Sequence, residues 1–144
     1  MDAFVRRETV EVLRVRADMR GMGPAEAFRA LEAKLPTIKG RKFYGTIWML
    51  PEGEEYFACV ERRPGELSGA LGLGAGTIPG GLYVRRKIFD WERVVAEGKI
   101  QAVSENIRQE YSVDPSRPEV EFYRSGREPH LLLPVLSQEA RPRP

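Results

Sequence analysis

Val120-Glu121-Phe122-Tyr123-Arg124-Ser125-Gly126-Arg127-Glu128-Pro129-His130-Leu131-Leu132-Leu133-Pro134-Val135 contains two runs rich in β-favouring residues around a polar, glycine-centred stretch. Aromatic and branched side chains pack well on a pleated surface. A short glycine-bearing connection between two such runs predicts a hairpin. Residues 120–124 and 130–136 are therefore expected as strands around the turn Ser125-Gly126-Arg127.

Upstream, Ile100, Val103, Ile107 and Tyr111 recur at the spacing of one helical face, which predicts a helix over 100–111. Asp90 can cap a short helical turn through Trp91 and Val94, interrupted by Gly98. Leu82 to Ile88 reads as a strand. Residues 64–81 hold glycine at 65, 69, 72, 74, 76, 80 and 81 and read as a flexible crossover.

The first half has the same order. Residues 9–17 alternate partly and predict a strand, broken by Gly21 and Gly23. Pro24 suits a first helical turn, Phe28, Leu31 and Leu35 mark one buried face, and Pro36 stops the helix. Strands over 43–50 and 55–61 follow, joined through Pro51-Glu52-Gly53.

Strand, helix, strand, strand is thus written twice. An α+β fold follows: two duplicated modules with antiparallel sheets, helices on the outer face and a ligand groove at a pseudo-twofold junction. Residues 1–139 are expected as one domain. Repeat one spans about 5–63, the crossover 64–81 and repeat two about 82–137, with 140–144 a disordered tail.

Side chains alternate along a strand. Sorting each strand by apolarity assigns Val120 and Phe122, Ile47 and Met49, and Leu82 and Val84 to the helix side. Glu121, Tyr123, Tyr44, Trp48 and Tyr83 then share the other face, and Gly45 keeps one wall low. A carboxylate among aromatic rings can hold a cation by charge and by cation–π attraction. Equally, one face of an antiparallel sheet often meets water, which would make Glu121 a solvated residue.

Composition removes several chemistries. One cysteine, Cys59, and one histidine, His130, cannot furnish a Cys/His zinc site or a disulfide, so neither metal nor cofactor is expected. Cys59 lies in an apolar strand and reads as a core residue. Gly72-Leu73-Gly74-Ala75-Gly76 lacks the third glycine and following helix of a dinucleotide loop. A net charge of +2 gives no argument for nucleic acid. The clusters Lys39-Gly40-Arg41-Lys42 and Arg85-Arg86-Lys87 read as solvated faces. Without a leader or membrane-length apolar run, the cytoplasm is the expected compartment.

The hairpin 120–135, with its acidic residue two before a tyrosine and its closing Leu133-Pro134-Val135, resembles the C-terminal signature of the GyrI-like effector-binding family. TIPGGLYVRR, residues 77–86, is similar to the family's entry into its second repeat. FYGTIW and EYFACVE, residues 43–48 and 55–61, are similar to strands of its first repeat. The resemblance implies a pocket centred on Glu121, with Tyr123 and Trp48 stacking on the ligand. Lys87-Ile88-Phe89-Asp90-Trp91 departs from the family's usual glycine-led turn, with Trp91 a candidate replacement aromatic.

The expected function is a stand-alone binding protein, without direct DNA binding, that senses or sequesters amphipathic aromatic small molecules, cationic ones included. Its candidate ligand contacts are Glu121, Tyr123, Tyr44, Trp48, Tyr83 and Trp91. An alternative is a hydrolase of cyclopropane-containing electrophilic toxins, with Glu121 and Tyr123 catalytic. A further alternative is an interaction protein modulating DNA gyrase.

Overall fold

The computed structural model describes residues 2–18, 23–96, 98–123 and 129–140. Gly21, the turn Ser125-Gly126-Arg127 and the tail from Arg141 to Pro144 lie outside the described residues. The fold is α+β, with a largely antiparallel sheet and a few helices. No helix among the described residues is long and apolar enough to cross a membrane.

The strands are β1 (Asp2–Arg7), β2 (Val10–Arg16), β3 (Phe43–Leu50), β4 (Gly53–Glu61), β5 (Gly74–Ile78), β6 (Gly81–Lys87), β7 (Tyr111–Val113), β8 (Glu119–Tyr123) and β9 (His130–Ala140). The helices are α1 (Pro24–Ala33), α2 (Ser68–Leu71), α3 (Trp91–Ala96) and α4 (Ile100–Glu110). The sheet runs β1-β6-β9-β8-β3-β4-β2-β5, with β7 added on β9. At its centre β8 lies against β3, pairing Glu121 with Gly45 and Tyr123 with Phe43.

Both faces of this sheet are buried. On one, α1 packs Ala27 and Leu31 over Leu13, Ala58 and Val60, and α4 packs Ile107 over Val84, Leu131 and Leu133. The other face holds Val12, Tyr44, Phe57, Tyr83, Val120 and Leu132. The sheet curls around that second cluster. Arg7 on β1 donates to the Tyr44 hydroxyl on β3 at 3.4 Å, although three strands separate them in the order.

Three strands escape the sequence reading: β1, β5 and β7. The short β1 begins and ends on charged residues, and its Asp2 is bound by Arg86 at 2.7 and 2.8 Å. In β5, Gly-Ala-Gly-Thr-Ile is a poor strand by composition, hence the expected crossover. It pairs with β2 because the absent side chain leaves room for Arg14. A Cβ on Gly76 would meet the Arg14 guanidinium at 2.6 Å, which instead sits 3.9 Å above the Phe57 ring.

The basic clusters are not simply solvated faces. Arg86 is engaged by Asp2, and the Arg41 side chain is 1% exposed in an ion pair with Glu66. Arg41 donates to both Glu66 oxygens, at 2.7 and 2.5 Å. These bonds hold the Glu66 carboxyl at about 2, against an ordinary value of 4.5. A depressed folded pKa stabilises above the unfolded value and ceases to as pH falls through the folded one. The stability advantage of wild type over Glu66→Gln should therefore shrink between about pH 4.5 and pH 2. Urea unfolding midpoints across that range test it; a constant difference would contradict it.

Cys59 is 1% exposed in the second core cluster, and burial pushes its thiol up to about 12. It is a packing residue, as its apolar strand implied.

Candidate functional site

Alternation along β8 decides where Glu121 sits. Val120 belongs to the core on the face without helices, and Phe122 packs against it. The Phe122 ring lies 5.0 Å from that of Tyr44. Glu119, Glu121 and Tyr123 therefore point to the helix-bearing face. This reverses the expected assignment of β8, while β3 and β6 keep theirs. Apolarity misled because both sheet faces are buried, so Val120 and Phe122 had a second core to enter.

The expected six site residues separate accordingly. Glu121, Tyr123 and Trp91 come together on the helix face, with the Trp91 and Tyr123 rings 5.6 Å apart. Tyr44 and Tyr83 are core residues of the opposite face, and Trp48 packs half-buried beside them. The buried Trp48 indole nitrogen has no hydrogen-bond partner among the described residues.

Two residues not singled out from the sequence complete the cluster. Tyr56 on β4 donates its hydroxyl to Glu121 Oε1 at 2.7 Å, and Tyr123 donates to the same oxygen at 2.9 Å. Phe28 on α1 sets its ring edge-on to Tyr123 at 5.4 Å and to Tyr56 at 6.5 Å. Alternation along 55–61 does place Tyr56 with Ala58 and Val60. What the sequence lacks is the cross-strand register that lays this tyrosine beside Glu121.

Gly45 is where that register matters. It lies between β4 and β8, paired with Ala58 and Glu121. A Cβ there would collide with the Tyr56 hydroxyl and with Glu121 Oε1. The space expected to admit a ligand is therefore filled by the protein's own phenol–carboxylate contact.

Burial dominates the electrostatics. Glu121 is 7% exposed, and desolvation raises its pKa although both phenol bonds oppose the rise. Tyr56 and Tyr123 are pushed far above the ordinary phenol range, first by burial and then by the charge of Glu121. Both stay protonated and act as donors. Glu119, two residues along the same face, is also raised by burial, against the pull of Ser104 and Arg108.

Two hollows flank the cluster. A cleft of about 720 Å³ opens between α1 and α3, with Phe28, Phe43, Trp91 and Tyr123 in its wall and Glu32 and Lys39 at its rim. A smaller one, about 320 Å³, lies under α4 and is acid-rich, with Glu54, Glu105, Glu119 and Glu121 against Arg108. Both bonds to Glu121 fall on Oε1, and its side chain reaches this second hollow. Tyr123 thus links an aromatic cleft to a buried carboxylate. No group of three or more His, Cys, Asp or Glu suited to a metal ion occurs among the described residues.

Fold and site together define an α+β domain with an aromatic-walled cleft beside a buried, phenol-bound glutamate. No protein-family model and no curated protein sequence matches the chain. Solved structures do share its fold. An integron cassette protein from the mobile metagenome of Vibrio cholerae superimposes with a TM-score of 0.64 at 16% identity, over 93% of this chain and 95% of that one. The protein SAV2435 bound to tetraphenylphosphonium gives 0.62 at 14% identity, over 94% and 93%. A hydrolase from Listeria innocua gives 0.56 at 12%, over 93% and 90%.

Proposed function

We propose that this protein is a GyrI-like effector-binding domain that captures amphipathic aromatic small molecules, favouring cationic ones, in the cleft between α1 and α3. The observation that carries the reading is the position of Tyr123. Its ring forms part of the aromatic wall, and its hydroxyl is bonded to buried Glu121. A planar or multi-ring ligand gains apolar contact and edge-to-face packing from Phe28, Trp91 and Tyr123. A positive charge on it gains cation–π attraction and the field of a carboxylate with little water around it.

Two further features support the reading. The sheet order β6-β9-β8 followed by β3-β4-β2 runs first, third and second strand of one half, then the mirror of that series in the other. This is the order expected of two strand–helix–strand–strand repeats meeting at β8 and β3. In addition, a protein of the same fold holds tetraphenylphosphonium, an aromatic cation.

The test is titration with tetraphenylphosphonium followed by calorimetry. Saturable one-to-one binding is expected in wild type, weakened about tenfold in Trp91→Ala, the loss of one good aromatic contact of roughly 1–1.5 kcal/mol. Absence of binding to this and to other aromatic cations would remove the reading.

A hydrolase of strained electrophiles is the second reading, favoured by one observation. Both phenols bond Oε1, and the Glu121 side chain, its pKa raised by burial, also borders the hollow under α4. Such a carboxylate suits general-base attack by water, with Tyr123 as a neighbouring donor. Turnover of a cyclopropane-bearing alkylating agent that vanishes in Glu121→Gln would favour this reading over simple binding.

A further inference from the structure

The open end of the sheet's other face carries a third hollow, of about 490 Å³, with Arg7, Lys42, Arg85, Phe122 and His130 in its wall. Strand parity shows why these residues meet. Arg7 follows Val5, Arg85 follows Tyr83, and His130 precedes Leu132, each by two positions on its strand. Val5, Tyr83, Leu132 and Phe122 all belong to the core of the helix-free face. Arg7, Arg85 and His130 thus cap the apolar core where the curled sheet opens.

Among the described residues no carboxylate lines this hollow, and neither Arg7 nor Arg85 has an ion-pair partner. The Lys42 pair with Glu61 spans 3.9 Å between exposed groups, a geometry that contributes little. Arg7 is held in place by the rings beneath it, at 5.4 Å from Phe122 and 5.8 Å from Tyr44. Clustered like charges in a concave, low-dielectric wall focus a positive field. Guanidinium forks match the oxygen pairs of carboxylates and phosphates.

We propose that this hollow is an anion site, distinct from the aromatic cleft, that receives the phosphate or carboxylate groups of a small polyanion through Arg7, Arg85 and Lys42. Its proposed anion contacts, Arg7, Arg85 and Lys42, do not line the aromatic cleft, although Gly40, Arg41 and Tyr123 border both.

Calorimetric titration at low salt with inorganic pyrophosphate and, separately, with citrate tests the site. At least one should bind saturably, and the comparison of the two separates a phosphate from a carboxylate preference. Arg85→Gln should weaken that binding roughly tenfold and Arg7→Gln/Arg85→Gln should abolish it, as expected for charge-assisted contacts. Near-ultraviolet circular dichroism reports whether each variant keeps its packing. Lys42→Gln, an exposed change, supplies a second variant, with an expected loss of threefold or more. Failure of both anions to bind, or equal affinity in folded Arg85→Gln and Lys42→Gln, would overturn the site whatever tetraphenylphosphonium does.

Discussion

Gly45→Val is expected to leave most of the chain unfolded, and Gly45→Ala to cost about 1–5 kcal/mol. At an ordinary strand position, alanine is better than glycine by about 0.5–1 kcal/mol. Here the added Cβ would overlap the Tyr56 hydroxyl and Glu121 Oε1 and lie 2.9 Å from Tyr56 Cζ. Overpacking of this kind costs roughly 1–3 kcal/mol. Displacing Tyr56 from Glu121 strands buried polar groups at about 1–3 kcal/mol more. Against a total of some 5–15 kcal/mol, the branched valine exceeds what the fold tolerates. Urea unfolding of Gly45→Ala, Tyr56→Phe and the double variant gives the decisive comparison. Because Tyr56 carries the nearest atom, the double variant should be less destabilised than the two single costs added. Simple additivity would mean that the clash lies elsewhere.

Much of the fold was legible because its signals are local. The helix faces of Phe28, Leu31 and of Ile100, Val103, Ile107 are periodic, and the β3–β4 hairpin closes on Pro51-Glu52-Gly53. β5 was hidden because its glycines serve a neighbour: Gly76 is needed by the Arg14–Phe57 stack, a requirement visible only across strands. β1 was hidden because Asp2 is tied to Arg86, a residue 84 positions away.

The candidate site was half legible. Glu121 and Tyr123 share a face by alternation alone, and Trp91 stood out as an aromatic in an unusual turn. Which face they share could not be read, since hydrophobic contrast identifies a buried face only when the other meets water. Tyr44 and Tyr83 looked like pocket aromatics and instead fill a second core, 2% and 1% exposed. Tyr56 became part of the site only through the pairing of Gly45 with both Ala58 and Glu121.

Glu121→Gln is expected to separate stability from ligand capture. The folded pKa of Glu121 lies above its ordinary value of 4.5, first through burial. The native state therefore holds its proton more tightly than the unfolded chain does. The contribution from this residue is complete below about pH 4.5 and declines as pH rises through the folded pKa. Glutamine keeps an oxygen for the Tyr56 and Tyr123 hydroxyls and carries no charge to desolvate. The variant should thus match or exceed wild type in unfolding free energy at pH 8, and the advantage should shrink as pH approaches 4. Capture of tetraphenylphosphonium should move the other way. Opposite charges ~6 Å apart at an effective dielectric of ~20 attract by about 3 kcal/mol, or ~100-fold in affinity. Wild-type affinity should climb with pH as Glu121 ionises, whereas Glu121→Gln should be weak and flat across the same range. A neutral aromatic of similar size should bind both proteins alike. If Glu121→Gln kept wild-type affinity for the cation at pH 8, the carboxylate would have no part in capture, and the aromatic wall alone would set the ligand class.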